Sequence, residues 1–96
     1  MDPALAENDD RAKRAGFVRA WGRLWLMVEL LDGRAVCAAL SLFPTLQRAT
    51  PAQRSRWRLI GKGDGLQWPA LDLDLSIRGI VQGRGEVVPS RRARSA

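Results

Sequence analysis

Histidine and tyrosine are absent from the 96-residue chain, and cysteine occurs once, at Cys37. Each absence closes off chemistry. A serine or cysteine nucleophile needs a base, and the imidazole that usually serves is missing. A metal site loses its commonest nitrogen ligand. One cysteine cannot form an intramolecular disulfide. No run approaches the length of apolar residues that reads as a membrane span. The opening MDPALAENDD is acidic and lacks the apolar segment of a signal peptide. These absences describe a soluble, cytoplasmic chain with no membrane contact. No enzymatic activity is expected of it, and no catalytic, cofactor-binding or metal-binding residues.

What is present is a small apolar core and an excess of arginine. Hydrophobic residues make up 46% of the chain, a globular share. The length suits one small domain. In a domain this short, burial and chain ordering nearly cancel, so a partner or a homo-oligomer is expected to help. The formal net charge is +6, and it is unevenly spread. Met1 to Ala15 sums to −1, Gly16 to Gly83 to +4, and Arg84 to Ala96 to +3. The expected organisation is a disordered segment over 1–15, a compact domain over 16–83 and a disordered basic tail over 84–96. Such a tail is a solvated end or a phosphate-binding arm.

Along the chain, Phe17, Arg19 and Trp21 alternate with Val18 and Ala20 as a short strand, and Gly22-Arg23 turns. A longer alternation follows. Leu24, Leu26, Val28 and Leu30 share one face, and Trp25, Met27, Glu29 and Leu31 share the other. Asp32-Gly33 then signals a two-residue type I′ hairpin. That turn sets Leu30 opposite Ala35, Val28 opposite Cys37 and Leu26 opposite Ala39, with a helix packing over their small side chains. Cys37 becomes a small core residue. The reverse face carries Trp25, Met27, Ala38 and Leu40, apolar enough to suggest a second buried surface. Phe43 and Leu46 anchor the next loop. Thr50-Pro51-Ala52-Gln53 is a helix start with a capping box, and this helix runs to about Trp57. Leu59-Ile60 and Leu66-Gln67-Trp68 form a second hairpin around Gly61 to Gly65. Leu71, Leu73 and Leu75 alternate with aspartates, and Ser76 caps a last short helix, Ile77 to Gln82. The class is α+β: a small antiparallel sheet of two hairpins packed with short helices.

Three constellations invite a functional reading. Gly61-Lys62-Gly63-Asp64-Gly65 resembles a phosphate cradle, but it leads into a strand instead of a helix N-terminus, so a hairpin turn fits better. Asp72 and Asp74 offer two carboxylates, with no third ligand, and serve to solvate one strand face or to cap and pair near Ser76 and Arg78. Arg54, Arg56, Arg58 and Lys62 surround Trp57. With Arg91, Arg92 and Arg94 of the tail they form a candidate nucleic-acid surface. The plainer alternative is a solvated helix face with Trp57 turned inward.

Several short elements agree in order and spacing: Asp32-Gly33-Arg34, Phe43-Pro44-x-Leu46, Ala49-Thr50-Pro51-x-Gln53-Arg54, Trp57-x-Leu59-Ile60-Gly61, Gly65-Leu66-x-Trp68-Pro69 and Leu71-Asp72-x-Asp74-Leu75-Ser76. The pattern resembles the small bacterial domain-of-unknown-function family 2442, roughly over residues 17–83. The chain departs from it at Gln67, where histidine is often found, and at Ala70 and Leu73, where acidic residues are common. The resemblance implies a compact α+β domain and a pairing with a second small protein encoded by a neighbouring gene, in an antitoxin-like role. It implies no catalytic residues. Two functions follow. The first is a non-enzymatic interaction or regulatory module using Trp25, Met27, Trp57 and Trp68. The second is nucleic-acid binding through the arginine cluster and tail.

Overall fold

Alternating apolar residues along the strands, and the capping residues Thr50 and Ser76 before two of the helices, underlie the elements seen in the computed structural model, which describes residues 9–86. A first antiparallel sheet contains β1 (Ala12–Ala20), β2 (Arg23–Leu30) and β3 (Ala35–Ala39), in that order. A second contains β4 (Arg58–Ile60), β5 (Gly65–Trp68) and β6 (Leu73–Ser76), also in chain order. Between the sheets lie a 3₁₀ turn (Leu40–Leu42), α1 (Pro44–Arg48) and α2 (Pro51–Arg54). A second 3₁₀ turn (Pro69–Leu71) precedes β6, and α3 (Ile77–Val81) follows it.

Both sheets share one core. Leu26, Val28 and Leu30 of β2 are buried with Leu66 and Trp68 of β5, Leu73 and Leu75 of β6, and Ile77 and Ile80 of α3. Phe43 and Leu46 are buried anchors, as their spacing predicts. The expected caps also form. The Thr50 hydroxyl accepts from the Gln53 N–H at 3.1 Å, and the Thr50 N–H donates to the Gln53 side chain at 2.9 Å. Ser76 caps α3 by accepting from the Gly79 N–H at 3.1 Å. α2 stops at Arg54, a turn short of the expected Trp57.

The turns exchange roles. The two-residue loop with positive φ at both positions is Trp21-Gly22, at +52° and +75°. At Asp32-Gly33 only Gly33 is left-handed, at +95°. There the Gly33 N–H donates to the Leu30 carbonyl and the Leu30 N–H to the Arg34 carbonyl. This is a three-residue loop closed by a glycine bulge, not the expected type I′ turn. The extra residue slips the register by one. Val28 lies opposite Val36, Leu26 opposite Ala38 and Met27 opposite Cys37. A one-residue slip sends every side chain of β3 to the other face. Cys37 is therefore exposed and not a core residue. Ala38 and Leu40 are buried rather than on the reverse face.

Two expected boundaries also move. Residues 12–15, read as part of a disordered segment, begin β1, with a bulge between Ala12 and Arg14. Ala12 is buried because it docks on the second sheet, its N–H donating to the Gly63 carbonyl at 2.7 Å. A Cβ on Gly63 would stand 2.6 Å from the Ala12 carbonyl oxygen, so this glycine makes room for that contact. The Gly61–Gly65 stretch is the turn between β4 and β5. At the other end, Glu86 returns to α1. Its carboxylate accepts from the Thr45 N–H at 3.0 Å and from the Thr45 hydroxyl.

Candidate functional site

The period-two alternation of β2 sends Arg23, Trp25, Met27 and Glu29 to the face of the first sheet that points away from the core. Their cross-strand neighbours are mostly small. Trp25 lies between Val18 and Ala39, and Met27 between Gly16 and Cys37. A Cβ on Gly16 would meet no atom within 4 Å. Arg14, Gly16, Met27, Glu29 and Ala35 thus line a shallow hollow of about 490 Å³. Arg14 closes one side of it through an ion pair with Glu29 at 2.6 Å. The Arg14 guanidinium holds the Glu29 carboxyl below its ordinary value.

Trp25 is fixed in place. Its indole N–H donates to the Ala20 carbonyl at 2.9 Å, and the Arg23 guanidinium lies 5.7 Å from its ring centre. Trp21 packs edge-on against it, with centroids 5.7 Å apart and planes at 84°. Trp21 itself is 88% exposed, and its backbone is left-handed. A bulky residue in that conformation is uncommon and costs free energy. Trp21, Trp25 and Met27 therefore form an aromatic and apolar ridge on an uncovered sheet face. Sequence reading places Trp25 and Met27 together correctly but assigns Trp21 to a strand. The signal missed is the dipeptide Trp21-Gly22 between two alternating runs, which is a hairpin position.

The other predicted site residues separate. Trp68 is fully buried, and its N–H donates to the Arg54 carbonyl at 2.8 Å, so it cannot be a contact residue. Trp57 is half-buried and packs against the core, the inward arrangement. Arg54 serves the fold: Nη1 donates to the carbonyls of Leu46 at 3.1 Å and Ala49 at 2.6 Å, and its guanidinium lies over Phe17 at 5.9 Å. Arg56, Arg58 and Lys62 are exposed, and Arg58 donates to the Gln67 side chain. The cluster is thus three exposed cations beside one structural arginine. Arg91, Arg92 and Arg94 lie outside the described residues. Asp72 and Asp74 are exposed, Asp72 being the left-handed cap of the Pro69–Leu71 turn. Among the described residues no group of three His, Cys, Asp or Glu side chains is placed to hold a metal ion. No helix among them is long and apolar enough to cross a membrane.

Three acidic groups elsewhere, Asp9, Asp10 and Asp32, are tied to arginines. Arg34 pairs with Asp32 at 2.8 Å and with Asp10. Hydrogen bonds from the Arg34 side chain, and then from its backbone N–H, draw Asp32 down to about 2. Asp9 pairs with Arg11 at 2.7 Å, and hydrogen bonds from the Arg11 side chain, then its backbone, lower it.

Two short antiparallel sheets packed on one core with short helices define the α+β class. Residues 17–86 match the family described as protein of unknown function (DUF2442), and the chain belongs to that family. The chain is similar to a crystal structure of a protein of unknown function from Rhodospirillum rubrum. The two are 31% identical with a TM-score of 0.67, over 80% of this chain and 90% of that one. No curated protein matches.

Proposed function

We propose that this chain is a non-enzymatic protein-interaction module that docks a second protein on the outer face of its first sheet. The observation that carries the reading is Trp21: a tryptophan 88% exposed, in a left-handed conformation, stacked edge-on against a second tryptophan. Backbone strain is concentrated at functional sites. Tryptophan is among the residues that dominate binding energy at interfaces. The half-buried Met27 beside Gly16 extends the ridge into a hollow that a partner side chain can fill. The regulatory, antitoxin-like pairing implied by the resemblance is a form of this reading in which the partner is another small protein.

The test is a pull-down with the tagged chain from host lysate, with and without nuclease treatment, beside the variant Met27→Asp. The reading predicts one small protein retained in near-equal amount by the native chain and lost by the variant, whose melting temperature is preserved. Capture abolished by nuclease supports nucleic acid instead, through Arg56, Arg58 and Lys62. Equal capture by both chains contradicts the use of this face.

A further inference from the structure

The outer face of the first sheet is complementary to itself. Residues opposite one another on paired strands share a face. The register therefore seats Arg23 beside Ala20 at one end of this face and Glu29 between Arg14 and Ala35 at the other, with Trp25 and Met27 between the two ends. Along β2 the outward row reads cation, apolar, apolar, anion. Turned end for end, that row is its own electrostatic complement. The shape follows the same pattern. A knob stands at the Arg23 end: Trp21, exposed and packed edge-on against Trp25. A hole lies at the Glu29 end: the hollow of about 490 Å³ lined by Gly16, Met27, Glu29, Gly33 and Ala35. Arg14 donates to Oε1 of Glu29, and a carboxylate accepts more than one such donor.

Resting on the interaction reading above, we propose that the protein docked on this face is a second copy of the chain, packed sheet on sheet across a two-fold axis that passes between Trp25 and Met27. A two-fold pair uses the same patch on both copies. Face to face, that symmetry allows two arrangements. With the β2 strands running the same way, Arg23 meets Arg23, Trp21 meets Trp21, and both hollows stay empty. With the strands opposed, Arg23 of each copy meets Glu29 of the other, Trp25 meets Met27, and each Trp21 arrives at the other copy's hollow. Charge and shape select the same opposed arrangement. Packed sheets cross at about 30°, which displaces a residue about 10 Å from the axis by about 5 Å, within the length of an arginine side chain. Contact between the Met27 sulfur and the Trp25 ring is favourable. By strand spacing and rise the face spans about 14 by 26 Å, a smaller patch than the roughly 800 Å² per partner of a standard interface. The dimer is therefore weak and concentration-dependent, with a dissociation constant on the order of micromolar.

The experiment is sedimentation equilibrium of the full chain across the micromolar range, beside Arg23→Glu, Glu29→Lys and an equimolar mixture of the two. Thermal melts confirm that each variant is folded. The native chain is expected to show a monomer–dimer equilibrium. Each charge reversal alone sets like charges at both contacts and is expected to weaken dimerisation about tenfold or more. In the mixed pair both contacts join opposite charges, so mixing is expected to restore association. In the lysate pull-down the retained small protein is then the chain's own untagged copy. A native chain that stays monomeric, a dimer indifferent to both reversals, or a mixture no tighter than its separate variants overturns the proposal. A monomeric chain that captures a different small protein, and loses it on Met27→Asp, would overturn the second copy and leave the sheet-face reading standing. A dimer that survives Met27→Asp would put the contact between copies elsewhere and overturn the proposal, whatever the lysate shows.

Discussion

Trp68 donates its indole N–H to the Arg54 carbonyl at 2.8 Å, and Arg54 in turn donates Nη1 to the carbonyls of Leu46 and Ala49. One buried ring thereby ties the second sheet to both α1 and α2. Trp68→Phe keeps most of the apolar volume but leaves the Arg54 carbonyl without its partner. A buried unsatisfied polar group costs roughly 1–3 kcal/mol. Trp68→Ala adds a cavity, for a total of roughly 3–5 kcal/mol. In a domain this small the alanine variant is expected to be largely unfolded. Urea denaturation of the two variants checks the order, and equal midpoints would contradict it.

Cys37 is on the outer face, so its thiol is expected to react stoichiometrically with an aromatic disulfide reagent in the native protein. Cys37→Ser should change stability by no more than about 0.5 kcal/mol, the usual range for a surface substitution. A thiol protected until the chain is denatured would instead support the alternative hairpin register.

Asp32 has a folded value of about 2, below its ordinary 3.8. A lowered carboxylate contributes stability that is present above its unfolded value and lost as pH falls through its folded value. Asp9 and Glu29 are shifted in the same direction. Stability should therefore fall between about pH 4 and pH 2, and Asp32→Asn should flatten that fall. Thermal melts across the window provide the measurement. An unchanged slope in the variant would remove Asp32 from the account.

Glu86 accepts from both the backbone N–H and the hydroxyl of Thr45 in the first turn of α1, where free N–H groups need acceptors. Glu86→Ala is expected to cost about 1 kcal/mol, the usual value of a helix cap. Comparison of chemical denaturation midpoints with the native chain gives the answer, and no difference would mean that the contact is not held in solution.

Legibility followed distance along the chain. The capping box of Thr50 and Gln53 spans three residues and was readable, as was the Ser76 cap. The buried face of Leu24, Leu26, Val28 and Leu30 was readable because period two needs no knowledge of the partner strand. The register of β3 was not. Asp-Gly suits both a type I′ turn and a type I turn with a glycine bulge, and the choice moves Cys37 from core to surface. Residues 12–15 carry only alanine as apolar signal; their strand exists because β2 is long enough to pair with them and Gly63 receives Ala12. At the site, Trp25 and Met27 were legible from alternation. Trp21 was not, because tryptophan disfavours the left-handed region.

Trp21→Asn tests the interaction surface most directly. The left-handed backbone costs tryptophan about 1–2 kcal/mol, a cost that asparagine largely escapes. Its edge contact with Trp25 returns roughly 0.5–1.5 kcal/mol, near the low end at so exposed a position. The variant should therefore melt no lower than the native chain. The decisive measurement pairs that melt with capture from nuclease-treated lysate. The account predicts undiminished stability together with loss of the small protein held by the native chain. Undiminished stability with unchanged capture would contradict it.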